Sequence, residues 1–468
     1  MKRFLLLLLL AVVAPGGQQP KAPQQQASQQ DLDRFTDQQQ QQELIRGQQE
    51  EVRKEEAAAR RQQFQLGALS AGDLARLVAP QRSEPCVAQA MRQDASLDLQ
   101  TIPLAEWLAA GDTAQIPWKV EFGKPELRID QRYEIAYSGG VQNKDVDWSG
   151  DEEELTYASG ISSPDGQWLI PPRAARQVVS KLQSPESRIF FGDCIFVKPG
   201  DYVLWMALYD SHSGRHSIAR HRIRATEFPD EPLPKVNDTL PEALFPIALG
   251  PDPRAHDPMP GPLFLPISNK RPLDVELISV VSPSDQWAGR SDFVQWINNR
   301  VLAAASVLSQ MRVANGSMSA TALDLINRLT PFQQRNFTQL DWTGLAGTFT
   351  KVADSGKVSM PALETVKERS VFFRKAIHEQ LGPPGEAIRI VILISGSMVF
   401  ERGSDLTPAT VEGDCRCRVY HVRLLVRGDV FDDLEKLIKP LRPKTFDVGS
   451  GHDLRKALAE MVRDLEGL

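Results

Sequence analysis

The chain has 468 residues, of which 41% are hydrophobic and 24% charged. This is the balance of a soluble globular protein, with room for about two to four domains. A net charge of −6 and a pI near 5.8 lack the basic footprint of a nucleic-acid binder. Beyond the first residues no apolar run reaches the roughly 18 residues of a membrane-spanning helix, so no membrane span is expected once the leader is removed.

The leader reads as a signal peptide over residues 1–20: Lys2 and Arg3 form a positive start, and residues 4–13 form a short apolar run. The expected destination is export, to the periplasm, the cell surface or the medium. Residues 21–66 are Gln-rich and cannot bury a core, so they read as a disordered or helical tether. Residues 67–116 read as a helical lead-in with loops, opening on a helix over 69–78 that Ser70 can cap.

From 117 to 228 the pattern changes to short strand-like runs, over 118–122, 128–137, 188–197, 201–209 and 217–225. Their spacing predicts a β-sandwich resembling the immunoglobulin fold, a resemblance of spacing and not of any motif. Inside it, Asp145, Asp147, Ser149 and Asp151 surround Gly150 like the front half of an EF-hand loop. Thr156 stands where that loop needs a bidentate Glu. An acidic solvated loop is the favoured reading, with calcium as the alternative. His212, His216 and His221 cluster around a hairpin and read as its solvated tip.

Of the four cysteines, Cys86 and Cys194 are the candidate disulfide, because both flank or lie in the sandwich. Cys415 and Cys417 are two apart on a predicted strand and do not bridge easily while it stays extended. Four thiolates could hold zinc, but C-x-C without a matching second pair is a weak metal signal. Residues 229–268 are dense in proline and read as a semi-rigid linker.

From 269 to 468 strands and helices alternate. Strands are predicted over 274–281, 388–394 and 419–426. Helices are predicted over 292–311, 320–329, 362–380, 432–438 and 453–465, with Ser291 and Ser450 as caps. Unbroken apolar strands between helices imply a doubly wound α/β sheet covered on both faces.

Three stretches of this half resemble a von Willebrand factor type A domain of exported bacterial proteins. They are Asp274-Val-Glu-Leu-Ile-Ser-Val-Val-Ser-Pro-Ser284, Ile390-Val-Ile-Leu-Ile-Ser-Gly396, and the 419–424 strand followed by the 432 helix and the 445–450 turn. The resemblance implies a Mg²⁺ site built from a D-x-S-x-S loop, a threonine loop and an aspartate ending the fourth strand. Ser282 and Ser284 match the two serines, but Val280 and Ser395 stand at the two aspartate positions, and Lys357 or Val358 at the threonine. Valine cannot ligate and lysine repels a cation, so the expected site is degenerate and metal-free. A shifted metal site using Ser282, Ser284, Asp285 and Ser395 is the alternative. A third reading lets Lys357 supply the positive charge in place of the metal and bind a partner carboxylate. Binding is expected at the loops carrying Ser282, Ser284, Asp285, Lys357, Ser359, Ser395 and Ser397.

No nucleophile, base and orienter set is evident, and no phosphate loop, so neither catalysis nor a cofactor is expected. The resulting expectation is an exported protein that binds a protein or extracellular matrix ligand. The rival is a scaffold subunit of a cell-envelope assembly, oligomerising through the Gln-rich segment.

Overall fold

The structure is a computed structural model. It describes residues 103–111, 113–170, 172–227, 233, 241–245, 263–282, 291–354, 366–382, 386–409, 417–425 and 432–468. The expected leader, tether and 69–78 helix lie outside the described residues, as do Cys86, Ser284, Asp285, Lys357, Ser359 and Cys415.

The first half holds helix α1 (Leu104–Ala110) and strands β1 (Thr113–Ala114), β2 (Trp118–Phe122), β3 (Glu126–Leu127), β4 (Tyr133–Gln142), β5 (Glu152–Ser162), β6 (Arg173–Ser180), β7 (Arg188–Val197), β8 (Gly200–Asp210), β9 (His216–Ala225) and β10 (Ala243–Leu244). They form two antiparallel sheets, ordered β1-β9-β8-β5-β6 and β10-β7-β4-β2, with β3 on β4. The inner faces share one core: Leu155, Tyr157, Leu204 and Met206 from the first sheet meet Ile135, Tyr137, Phe191 and Ile195 from the second. Helix α1 packs Leu104 on Ala158, Trp205, Ala207 and Ile218, and so covers part of the first sheet's outer face. At the start of β8, Tyr202 donates its hydroxyl to the carbonyl oxygen of Lys198, four residues back, at 2.8 Å.

Two sequence expectations change here. The strand predicted over 128–137 begins only at Tyr133, because residues 128–131 turn, with Gln131 in the left-handed region at φ 65°. The acidic run expected as loop becomes strand from Glu152 onward. Glu153 is buried there and accepts hydrogen bonds from the amide and the hydroxyl of Ser149, at 3.1 and 2.8 Å, which offsets the cost of burying its charge.

The second half holds β11 (Leu265–Ile267), β12 (Leu273–Val280), α2 (Ser291–Leu308), β13 (Met311–Val313), β14 (Gly316–Asp324), β15 (Leu329–Gln334), α3 (Trp342–Asp354), α4 (Arg369–Leu381), β16 (Ile388–Gly396), β17 (Cys417–Leu424), α5 (Asp433–Ile438), β18 (Lys444–Val448) and α6 (Gly451–Glu466). Six strands form a sheet of order β15-β14-β12-β16-β17-β18, parallel throughout except for the edge strand β15. Helices α2, α3 and α6 pack on one face, and α4 and α5 on the other. This is why β12 and β16 carry unbroken aliphatic runs: both of their faces are covered. Ser450 and Asp453 form a reciprocal capping box at the start of α6.

The helix predicted over 320–329 is a correction, since β14 runs through Asp324 as a central strand. Its alanines suggest helix, but Ser317, Ser319 and Thr321 alternate with Met318, Ala320 and Ala322. Ser317 donates to Asp274 and Thr321 to Glu276 on the neighbouring β12, at 2.8 and 2.5 Å. Sheet pairing overrides local propensity. Within the proline-rich stretch, β10 pairs with β7, whereas Leu263, Leu265 and Ile267 join the second half's core. The 128–131 turn reaches the same core through Ile129.

Candidate functional site

Doubly wound sheets place ligands at the carboxyl ends of their strands, in the crevice where the strand order reverses. Here that crevice lies beyond β12 and β16, with Ser279 beside Ile394 in register. Ser282 follows β12, and Ser395 and Ser397 end and follow β16.

Ser282 is buried, and its hydroxyl is fully used. It donates to Asp324 Oδ1 at 2.8 Å and accepts the amides of Leu325 at 2.6 Å and Ile326 at 3.3 Å. One donor and two acceptor positions are all a serine hydroxyl has. Asp324 is held in turn by the backbone amide and side chain of Asn327, at 3.2 and 2.7 Å. Ser282 therefore braces the end of β12 to the end of β14.

Ser395 Oγ lies 2.9 Å from His421 Nε2, and both residues are fully buried. His421 stands opposite Leu393 and Arg423 opposite Ser395, so the pair is a diagonal contact between adjacent strands on one face. His421 Nδ1 has no hydrogen-bond partner. Burial, with a smaller push from Arg423, lowers the imidazole pKa to about 3. The ring is thus neutral at pH 7 and a poor proton acceptor, well below the range useful for general base catalysis. The available signal was Ser395 at the end of the aliphatic run of β16 and His421 between Tyr420 and Val422 in β17.

The chain leaving β16 is fastened to α5. Asp432 Oδ1 accepts the amides of Met398 at 3.2 Å and Leu434 at 3.1 Å, and so caps α5. Asp433 Oδ2 accepts the amide of Phe400 at 2.9 Å, while its own amide donates to Met398 O at 2.7 Å. Burial raises Asp432 to about 6, against the lowering effect of its amide donors and of Arg423. Arg423 Nη1 stands 3.7 Å from Asp432 Oδ2, and this guanidinium also pairs with Glu435 and Asp447 at 2.8 and 2.7 Å. Ser397 sits within this fastened loop and is largely buried.

The remaining candidates are dispersed. Asp145 closes a 3-10 turn over Asn143–Asp145, and its carbonyl accepts Arg215 at 3.3 Å. His216 stacks on Trp107 at 4.1 Å, and His221 on Phe122 at 5.0 Å. Among the described residues no three His, Cys, Asp or Glu side chains converge as a metal site. Cys194 and Cys417 are each disulfide-bonded, so neither offers a thiolate. No described helix is long and apolar enough to cross a membrane.

No family model and no curated protein matches the chain. Solved structures that resemble it do so distantly. A Bacteroides uniformis β-glucuronidase is 10% identical at a TM-score of 0.18, over 59% of this chain and 33% of that one. Proximal thread matrix protein 1 from the mussel byssus is 12% identical at 0.22, over 42% and 49%. A family 123 glycoside hydrolase from Clostridium perfringens is 7% identical at 0.22, over 70% and 72%. The chain thus spans about a third of that glucuronidase and about half of the matrix protein. Likeness at this level carries no inference about fold or activity.

Proposed function

We propose that the chain is an exported, non-catalytic binding protein. In this reading an immunoglobulin-like sandwich is joined to a von Willebrand A-like domain whose metal site is degenerate, and the carboxyl-edge loops bind a protein or extracellular matrix ligand. The observation that carries it is the engagement of Ser282 by Asp324 and of Ser395 by His421. Two hydroxyls that a Mg²⁺ shell would need are committed to the protein's own polar groups.

Three further observations support the reading. With its own six strands numbered in chain order, the sheet reads 3-2-1-4-5-6, an order that doubly wound folds share. The bond from Tyr202 to Lys198 has the form of the tyrosine corner of immunoglobulin-like sandwiches. Disulfide bonding at Cys194 and Cys417 favours an oxidising compartment.

Thermal melting of the intact chain tests the metal-free edge. It is run in EDTA and then in millimolar Mg²⁺, Mn²⁺ or Ca²⁺. A ligand that binds the native state raises the midpoint by mass action. The expected result is an unchanged midpoint, and a clear rise overturns the degenerate site. Substitutions at Lys357 and Ser397 that leave every detected ligand interaction intact would remove the edge loops as the binding surface.

A further inference from the structure

On the outer face of the sandwich's first sheet, four positions line up across the strands. Trp168 is bridged to Ser162 on β5, Ser162 stands opposite Val203 on β8, and Val203 stands opposite Arg222 on β9. Residues an even number apart on a strand share a face. The row therefore faces the same way as Trp205 and Ile218, which α1 covers. We propose that this row binds an acidic glycan, with Trp168 stacked on a sugar ring and Arg222 paired with a uronate carboxylate.

Trp168 is held out to solvent by hydrogen-bonded backbone on both sides. The turn before it is closed by the Ser163 amide on the Gln167 carbonyl at 2.9 Å, with Gly166 in the left-handed region at φ 92°. After it, the Leu169 amide donates to the Ile161 carbonyl at 3.2 Å. The indole meets Trp205 edge-on, with ring centroids 5.2 Å apart at 65°. Trp205 itself lies over Gly160, where a Cβ would stand 2.5 Å from its ring. Trp205 is buried, yet Trp168 keeps 41% of its surface exposed. An indole already fixed in place loses little freedom when a ligand settles on it.

The arginines of β9 supply the charge. Arg220 donates to the Leu108 carbonyl of α1, and Arg224 lies 3.7 Å from Asp201. Arg222, exposed between them, has no acidic partner among the described residues. A guanidinium in that state can take a carboxylate in two parallel hydrogen bonds. Strands about 4.8 Å apart put Trp168 and Arg222 roughly 14 Å apart at Cα, so a short oligosaccharide fits between their side chains. A protein partner would cover about 800 Å² and bury several anchoring side chains. This face offers one exposed aromatic ring among the described residues, because α1 covers Trp205. A flat sugar ring carrying one carboxylate matches what remains.

Affinity electrophoresis of the full chain tests this, in gels containing polygalacturonate, alginate or hyaluronan, with neutral dextran as the control. Retardation by at least one uronate polymer, and none by dextran, is expected. Trp168→Ala and Arg222→Ala are each expected to weaken it about tenfold. Both side chains are exposed, so melting midpoints near the parent's show that the variants are folded. Neither substitution touches the carboxyl-edge loops, so failure here leaves the binding proposed for them standing. Free migration in all three polymers, or retardation that either substitution leaves unchanged, overturns the proposal. Equal retardation by polyglutamate, lost in the same two variants, assigns the row to an acidic protein and also overturns it.

Discussion

Gln131 Nε2 donates to the carbonyl oxygen of Gly451 across 2.9 Å, joining residues 320 positions apart and tying the sandwich to the first turn of α6. The same amide lies 3.3 Å from the Ile129 carbonyl, and Arg455 reaches Gln131 Oε1 at 3.4 Å. Gly451 permits this contact. A Cβ there would stand 2.3 Å from the carbonyl oxygens of both Leu127 and Arg128, backbone atoms that cannot swing aside. Gly451→Ala is therefore expected to destabilise by about 1–3 kcal/mol, the range for forced overpacking. Denaturant titration checks it. An undiminished midpoint would mean that the two halves separate without cost.

The Ser395–His421 pair predicts a pH dependence. The folded imidazole, near pKa 3, binds fewer protons than the unfolded one, near 6.5. Its contribution is complete above about 6.5 and is lost as pH falls toward 3, by up to about 1.4 kcal/mol per unit. Relative to the parent, His421→Asn should show a shallower loss of stability between pH 6.5 and 4.5. Urea midpoints across that window provide the measurement. Parallel curves for parent and variant would refute a neutral buried ring. Ser395→Ala strips Nε2 of its partner and is expected to cost about 1–3 kcal/mol at pH 7.

The strands Trp118–Phe122 and Arg188–Val197 and the aliphatic core of β16 are legible because burial on one or both faces leaves a period in the sequence. Helix α6 is legible because Ser450 and Asp453 sit at the spacing of a capping box. Strand β5 is hidden because it opens on three glutamates, one held by Ser149. Strand β14 is hidden because its alanines speak for helix. The contacts that define the candidate site are long-range: Ser282 meets Asp324 42 positions away, and Ser395 meets His421 26 positions away. No local pattern reports such pairings, and a family motif reports only that the residues are serines.

The Tyr202–Lys198 bond gives a local prediction. Tyr202 is almost fully buried, and its hydroxyl anchors the turn between β7 and β8. Burial raises the phenol to about 12, so it remains a donor through any working pH. Tyr202→Phe keeps the packing and leaves the Lys198 carbonyl without this donor. The expected cost is about 1 kcal/mol, read as a lower denaturant midpoint at unchanged slope. A changed slope would place the effect in the unfolded chain.

Asp432 carries the opposite linkage. Its folded pKa, about 6, lies above the ordinary value of 3.8. Its favourable contribution is therefore present below about 3.8 and is lost as pH rises through about 6. Burial is the largest cause of the shift, ahead of the amide donors and of Arg423. Arg423 also keeps Glu435 and Asp447 when Asp432 is neutral. Asparagine caps helices as well as aspartate and can still accept from Met398 and Leu434. Asp432→Asn is therefore expected to raise stability at pH 7 by up to about 3 kcal/mol, an order-of-magnitude figure from the rise of its pKa from 3.8 to about 6, and by almost nothing at pH 4. Paired denaturation curves at the two pH values decide it. A loss at pH 7 would show that the 3.7 Å pairing with Arg423 outweighs desolvation of the carboxylate.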